Sequence, residues 1–153
     1  MTETVVCVGA VVRRTDSILL VRQSPGHSLE GLWTMPWGQI GRGESPTAAV
    51  LREIKEEAGV DARVEGLLGI QELPQPWLGM VGILFLCTHV DGAPVPDNRE
   101  TDAAKYFSAE QLGAISDSLE PLSAWMVRRV LANDFSLLQT NESGPYVPSP
   151  TYL

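Results

Sequence analysis

The stretch Gly38 to Val60, GQIGRGESPTAAVLREIKEEAGV, constrains this chain more than any other. It joins a glycine-punctuated loop to a helix whose two ends are both marked. Ser45 is a good N-cap, and Pro46 follows at the first helical position, where a missing N–H costs nothing. Gly59 suits the left-handed residue that closes a helix. The spacing predicts a helix from Ser45 to about Ala58, with Val50, Leu51, Ile54 and Ala58 on its apolar side. Glu53, Glu56 and Glu57 then stand at i, i+3 and i+4, so three carboxylates share one face. Like charges so arranged repel. Arg52 and Lys55 offset part of the cost, and a hard divalent cation would offset it better. Magnesium takes oxygen ligands and keeps several waters, which suits a few carboxylates joined by substrate phosphate oxygens. An isolated EIKEE is most simply a solvated face, but the glycine loop in register upstream argues against that reading here.

The flanks set this helix in a mixed architecture. Val5 to Val12 and Ser17 to Val21 are short β-branched runs, and the turn Arg13-Arg14-Thr15-Asp16 predicts a hairpin between them. The glycine- and proline-rich segment from Ser24 to Gly43 reads as loop, with a short strand near Thr34-Met35. Ala62 to Ile70 and Gly79 to Val90 are strand-like, and Leu73 to Trp77 is a proline loop between them. Ala93 to Arg99 carries too much proline for a core strand. Lys105-Tyr106-Phe107 is a short strand, Ser108 with Gln111 forms a capping box, and Leu119 to Leu131 is a second long helix. Strands in both halves with two long helices imply an α/β or α+β sandwich, and a mixed sheet with helices on its two faces fits best.

Charge narrows the partners. The net charge is −8, and so acidic a surface repels a nucleic-acid backbone. Long RNA or DNA is therefore not an expected partner. A small phosphorylated ligand would need a local cation, and a metal held by the glutamates supplies one. In such a site a cation neutralises developing phosphoryl charge and acidifies a bound water while a nearby carboxylate takes the proton. No apolar run reaches the ~18 residues of a membrane span. The N-terminus lacks a basic signal-peptide region, so a cytoplasmic location is expected. Cys7 and Cys87, far apart among apolar neighbours, read as buried free thiols, and His27 and His89 lack metal-ligand spacing.

At this point the residues meet a known pattern. The segment resembles the Nudix box: Gly, five residues, Glu, seven residues, Arg-Glu, apolar, any, Glu-Glu, any, Gly, apolar. Here those positions are Gly38, Glu44, Arg52, Glu53, Ile54, Glu56, Glu57, Gly59 and Val60. The match spans 23 of 153 residues with every position and both gaps in place, and GLWTMPWG before it resembles the family's entry into the box. The resemblance implies the Nudix fold, an α/β/α sandwich around a mixed β-sheet. It also implies hydrolysis of a nucleoside diphosphate linked to another group, with Mg2+ or Mn2+. Carried over by position, Glu53, Glu56 and Glu57 would be metal ligands with the Gly38 carbonyl helping. Arg52 would orient the glutamates, and Glu44 would be a further metal-shell or supporting carboxylate. A later-loop acid is expected as base or ligand, with Glu100 the candidate and Asp102 its competitor; for Glu100 a surface ion pair with Arg99 is the plainer alternative. Two positions depart from the family: Trp37 where glycine is common and Gly41 where an acid is common. They bear on rate and substrate, not on reaction class.

Substrate cues are thinner. Pro74 and Pro76 fall where ADP-ribose-hydrolysing relatives carry prolines, and Gln75-Pro76-Trp77 faintly resembles a signature of relatives acting on NADH. ADP-ribose or a nucleotide sugar is the favoured small substrate. A nucleoside triphosphate house-cleaning pyrophosphatase and a catalytically silent binding module of the same fold are the alternatives. Trp33, Trp37 and Trp77 are each more simply core or rim residues than base-stacking ones. The expected organisation is one domain over 1–140 and a proline-rich tail over 141–153 that is either packed as extended chain or loose. Homodimers are frequent in the fold, and Tyr146 and Tyr152 would suit a partner subunit.

Overall fold

The structure, a computed structural model, describes residues 4–153. Its centre is β1 (Val6–Arg14), whose residues alternate between two apolar layers as a strand covered on both faces requires. Val8, Ala10 and Val12 join the layer beneath α1 (Pro46–Ala58), while Val11 joins the layer beneath α3 (Pro121–Leu131). The same alternation sends Leu19 and Val21 of β2 (Ser17–Gln23) one way and Ile18 and Leu20 the other. This is the helix–sheet–helix sandwich that the flanking elements predict.

The sheet is mixed. β6 (Val81–Asp91) runs parallel to β1 from Val6↔Val81 to Arg13↔Thr88 and antiparallel to β5 (Asp61–Glu72). The other edge of β1 is shared. β2 takes its far end at Arg13↔Ile18, and a three-residue strand, β4 (Trp37–Gln39), takes its near end at Cys7↔Gln39 to Gly9↔Trp37. Beyond β2 lie β3 (Trp33–Thr34) and β7 (Thr101–Ser108), and β8 (Leu138–Asn141) and β9 (Thr151–Tyr152) extend the sheet past β5.

Most local expectations hold, and the differences have causes. α1 has its cap where the sequence marks it: the Ser45 side chain accepts from Ala48 N–H, and Gly59 sits at φ 67°. Ser108 and Gln111 form the capping box of α2 (Ala109–Ala114). α3 starts at Pro121, not Leu119, because the Glu120 carboxylate takes the N–H groups of Leu122 and Ser123 and so becomes the cap. Leu119 instead bridges to Trp33. The segment from Ser24 to Gly43, read as loop with one short strand near Thr34-Met35, holds that strand as β3 and a second, β4, whose long-range pairing with β1 no local signal announces. The tail folds back on its own chain: Tyr152 packs edge-on to Phe85 with centroids 5.8 Å apart, and its hydroxyl lies 2.8 Å from Thr47 Oγ1 on α1. Both cysteines are free and buried. No helix among the described residues is long and apolar enough to cross a membrane.

Candidate active site

α1 turns two of its glutamates inward. Glu53 and Glu57 lie on the same stripe as Val50, Ile54 and Ala58 and are only 6% and 3% exposed. β4 makes their recess. At Gly38 an added Cβ would lie 2.1 to 2.5 Å from the Glu53 carboxylate, so only glycine lets the strand lie this close. The ladder also decides which backbone groups face the helix. Ile40 N–H donates to Val6 and Ala10 N–H to Pro36, which places the intervening Val8–Gly38 pair in the hydrogen-bonded register. The Gly38 carbonyl is therefore directed at β1. Trp37 and Gln39, in the alternate register, present their groups outward. Trp37 N–H donates to Glu57 Oε2 at 3.3 Å, and the Gln39 carbonyl accepts from Arg52 Nη2 at 3.1 Å. The register turns the groups of Trp37 away from β1 and the Gly38 carbonyl toward it.

Arg52 ties the acidic groups together. Its Nη1 donates to Glu53 Oε1 at 2.6 Å and to Glu56 Oε2 at 3.1 Å, while Nε and Nη2 grip Glu44 in a two-pronged pair at 2.7 and 2.9 Å. Glu44 also accepts from Gly41 N–H at 2.9 Å. These bonds, above all the guanidinium, hold the Glu44 carboxyl at about 2, well below its usual range. Glu44 is thereby a fixed anchor for Arg52, which favours the supporting role over the metal-shell one. Glu56 stands at the exposed side of the same guanidinium.

Opposite α1, the loop before β7 supplies a third carboxylate. One oxygen each of Glu53, Glu57 and Glu100 lie within 4.8 Å of one another. Asp97 shapes this loop by accepting the backbone N–H groups of Arg99, Glu100 and Thr101 at 2.8 to 3.0 Å. Burial pulls the Asp97 carboxyl upward, but those donors outweigh it and leave it below its usual range. Thr101 Oγ1 then donates to the Glu57 carbonyl at 2.7 Å, pinning the loop to α1. Of the two late acids, Asp102 is spent on Arg22 at 2.7 Å, and Glu100 is the one that reaches the cluster. Asp97 and Thr101 were not singled out by sequence reasoning; the signal was an Asp opening a tight turn three residues before Glu100, with Asn98 left-handed at φ 58°.

Burial raises both inner carboxyls. For Glu57 desolvation is the main cause and the charge of Glu53 the next. For Glu53 desolvation again leads, opposed by Arg52 and reinforced by Glu56 and Glu100. Buried like charges supported by a single arginine are short of positive charge, and the donors are all oxygen. Such a set fits a hard divalent cation and not a soft one.

On the other face of β4 lies a cleft of about 350 Å³. Met35 and Trp37 form one wall, Leu73, Pro74 and Trp77 another, and the N-terminal end of α3 at Glu120 to Ser123 closes it. Trp37 belongs to both places, with its side chain in the cleft and its amide on Glu57. Four separated stretches, around Leu29, Thr34 to Trp37, Gln71 to Trp77 and Glu120 to Ser123, build the cleft, so no sequence motif announces it.

Comparison with known proteins agrees with this architecture. The NUDIX domain family model matches residues 3–130. The NAD-capped RNA hydrolase NudC of Pseudomonas aeruginosa is 32% identical over 139 residues, 90% of this chain and 46% of that protein. The ADP-ribose pyrophosphatase of Methanocaldococcus jannaschii is 29% identical over 109 residues, 70% of this chain and 63% of that protein. This chain therefore spans about half to two thirds of the length of these relatives. A NUDIX hydrolase from Nitrosomonas europaea superimposes with a TM-score of 0.74 at 26% identity, over 89% of this chain and 94% of its own.

Proposed function

Because this chain belongs to the Nudix hydrolase family, we propose that it uses magnesium or manganese to cleave the diphosphate bond of a small nucleoside diphosphate derivative, of ADP-ribose or nucleotide-sugar type. The observation that carries the proposal is the meeting of buried Glu53 and Glu57 with Glu100 within 4.8 Å. A divalent ion held there by these carboxylates would supply positive charge to the phosphoryl oxygens and would acidify a bound water. Glu53 and Glu57 would hold it from α1, with Glu56 adding a carboxylate from the exposed side and the Trp37 carbonyl taking the place expected of Gly38. Arg52 positions Glu53 and Glu56, and Glu44 positions Arg52. Glu100, exposed at the end of its turn, is the carboxylate with room to accept a proton from the attacking water. Similarity to the M. jannaschii ADP-ribose pyrophosphatase supports the ADP-ribose assignment. Similarity to NudC supports a second substrate of dinucleotide type, and the net charge of −8 restricts it to a short end.

The test is a product assay with magnesium on ADP-ribose, NADH, nucleotide sugars, dinucleoside polyphosphates and nucleoside triphosphates, with Glu57→Gln alongside. The expected result is turnover of a diphosphate-linked nucleoside, reduced roughly 10²–10⁴-fold in the variant. Turnover of triphosphates alone would move the assignment to a house-cleaning pyrophosphatase. A folded, magnesium-binding protein that hydrolyses none of them would overturn the enzymatic reading.

A further inference from the structure

Glu100 is an exposed acid on the turn from Asp97 to Thr101, yet its backbone is held more completely than a surface turn requires. Two peptide planes set the direction of its Cα–Cβ bond, and each is bonded at both ends. The Arg99–Glu100 peptide gives its N–H to Asp97 Oδ1 at 2.9 Å, and its carbonyl accepts from His27 Nε2 at 3.3 Å. The Glu100–Thr101 peptide gives its N–H to the same Asp97 oxygen at 3.0 Å, and its carbonyl accepts from Ser24 N–H at 2.9 Å. A backbone carbonyl only accepts, so the His27 ring nitrogen is the donor. Asp97 lies in the turn itself, and Ser24 follows Gln23, which pairs with Thr101 in the ladder of β2 and β7. His27 is different. Its side chain reaches over from the loop between β2 and β3, 72 residues away in sequence. That loop is itself braced, with Gly26 N–H donating to the Glu30 carboxylate at 2.9 Å and Glu30 N–H to the His27 carbonyl at 3.1 Å.

We infer that His27 is a positioning residue for the proposed hydrolysis: its ring N–H fixes the Arg99–Glu100 peptide and so keeps the Glu100 carboxylate at the buried pair Glu53 and Glu57. The inference rests on the reading of Glu100 as the group that takes the proton of the attacking water. Without His27 the Arg99–Glu100 peptide is held by Asp97 at one end only, and its plane can turn about that bond and swing the side chain. A carboxylate that takes a proton must meet the water within hydrogen-bond reach, so a small displacement acts on the chemical step and not on substrate binding. The effect has a natural size. One surface hydrogen bond shifts a local equilibrium by up to about tenfold, so His27 tunes Glu100 and does not replace it.

Two variants separate the hydrogen bond from the bulk of the ring. His27→Leu keeps most of the volume and loses the donor, and His27→Gln returns an N–H at the reach of Nε2. With ADP-ribose and magnesium, His27→Leu should lower kcat about three- to tenfold with KM little changed, and His27→Gln should restore it to within about twofold. Placed on Glu100→Gln, His27→Leu should cost nothing further, because residues that act as a unit are not additive. Full activity in His27→Leu, beside a weakened Glu100→Gln, overturns the inference and leaves the diphosphatase reading standing. A loss that His27→Gln does not restore, or that persists on Glu100→Gln, overturns it too, because the ring then acts by packing or elsewhere. A fully active Glu100→Gln removes the group to be positioned and overturns the inference together with the role of Glu100. If ADP-ribose is not hydrolysed, that substrate assignment fails, and the hold on Glu100 is read by amide hydrogen exchange on the metal-free protein. The Glu100 N–H should then exchange about three- to tenfold faster in His27→Leu and recover in His27→Gln. Equal rates overturn the inference.

Discussion

Gly38 shows how much of the site depends on one missing side chain. Its backbone φ is unremarkable; what it provides is space, since a methyl group would fall inside the Glu53 carboxylate. Gly38→Ala must either push β4 off α1 or rotate Glu53 out of its recess and off Arg52 Nη1. The cost of such overpacking is about 1–3 kcal/mol. We expect a folded protein with a melting temperature lowered by several degrees and magnesium affinity reduced at least tenfold, read by calorimetric titration. An unchanged magnesium affinity would show that the close approach of β4 to Glu53 does not matter to the metal. Other residues of the site explain one another in the same way. Arg52 serves Glu44, Glu53, Glu56 and the Gln39 carbonyl at once, so replacement by lysine, with one point charge, cannot reproduce its fork.

Among the elements, those stabilised by their own sequence are the ones the sequence announces. α1 carries its cap, its proline, its stripe and its closing glycine within 15 residues, Ser45 to Gly59, and each lies where the structure has it. β4 is three residues long and exists only because β1 pairs with it; β8 and β9 are equally dependent on distant partners. The same division applies to the site. Glu53, Glu56 and Glu57 follow from helical spacing, whereas the cleft and the outward Trp37 amide follow from sheet register. No local signal separates a packed tail from a loose one, but Tyr152 makes the packed state testable. Removing residues after Asn141 deletes β9, the Phe85 contact and the Thr47 hydrogen bond. Burial of one aromatic side chain contributes about 1.5–3 kcal/mol, so the melting temperature should fall by roughly 3–10 °C. Below the new transition kcat should hold, because Thr47 lies about 9 Å along α1 from Glu53. A melting temperature unmoved by the truncation would mean the tail is not docked.

At the scale of the whole molecule, an acidic protein buries two carboxylates side by side, and the proposed cation would be the remedy for their repulsion. Glu53 and Glu57 both have carboxyls raised above the 4.5 of an ordinary glutamate, chiefly by burial. Between the ordinary value and the raised one, the folded chain binds more protons than the unfolded chain. Metal-free stability must therefore fall as pH rises through that window. Glu44 acts in the opposite sense, with its folded value near 2, so its contribution is lost only as pH drops below about 4.5. Above that range Glu44 stays ionised and does not contribute to the change. On the proposed reading a divalent cation would bind the ionised carboxylates of the folded state, so its stabilisation would grow as protons leave. Melting curves in excess magnesium and in chelator should then diverge as pH rises above the ordinary glutamate range, with the gap smallest at the acid end. Glu57→Gln should close the gap from both sides: the chelated protein melts higher by roughly 3 °C or more, the shift that ~1 kcal/mol produces at this size, and magnesium adds little. A magnesium effect that is the same at every pH, or that survives Glu57→Gln intact, would place the cation away from the buried pair.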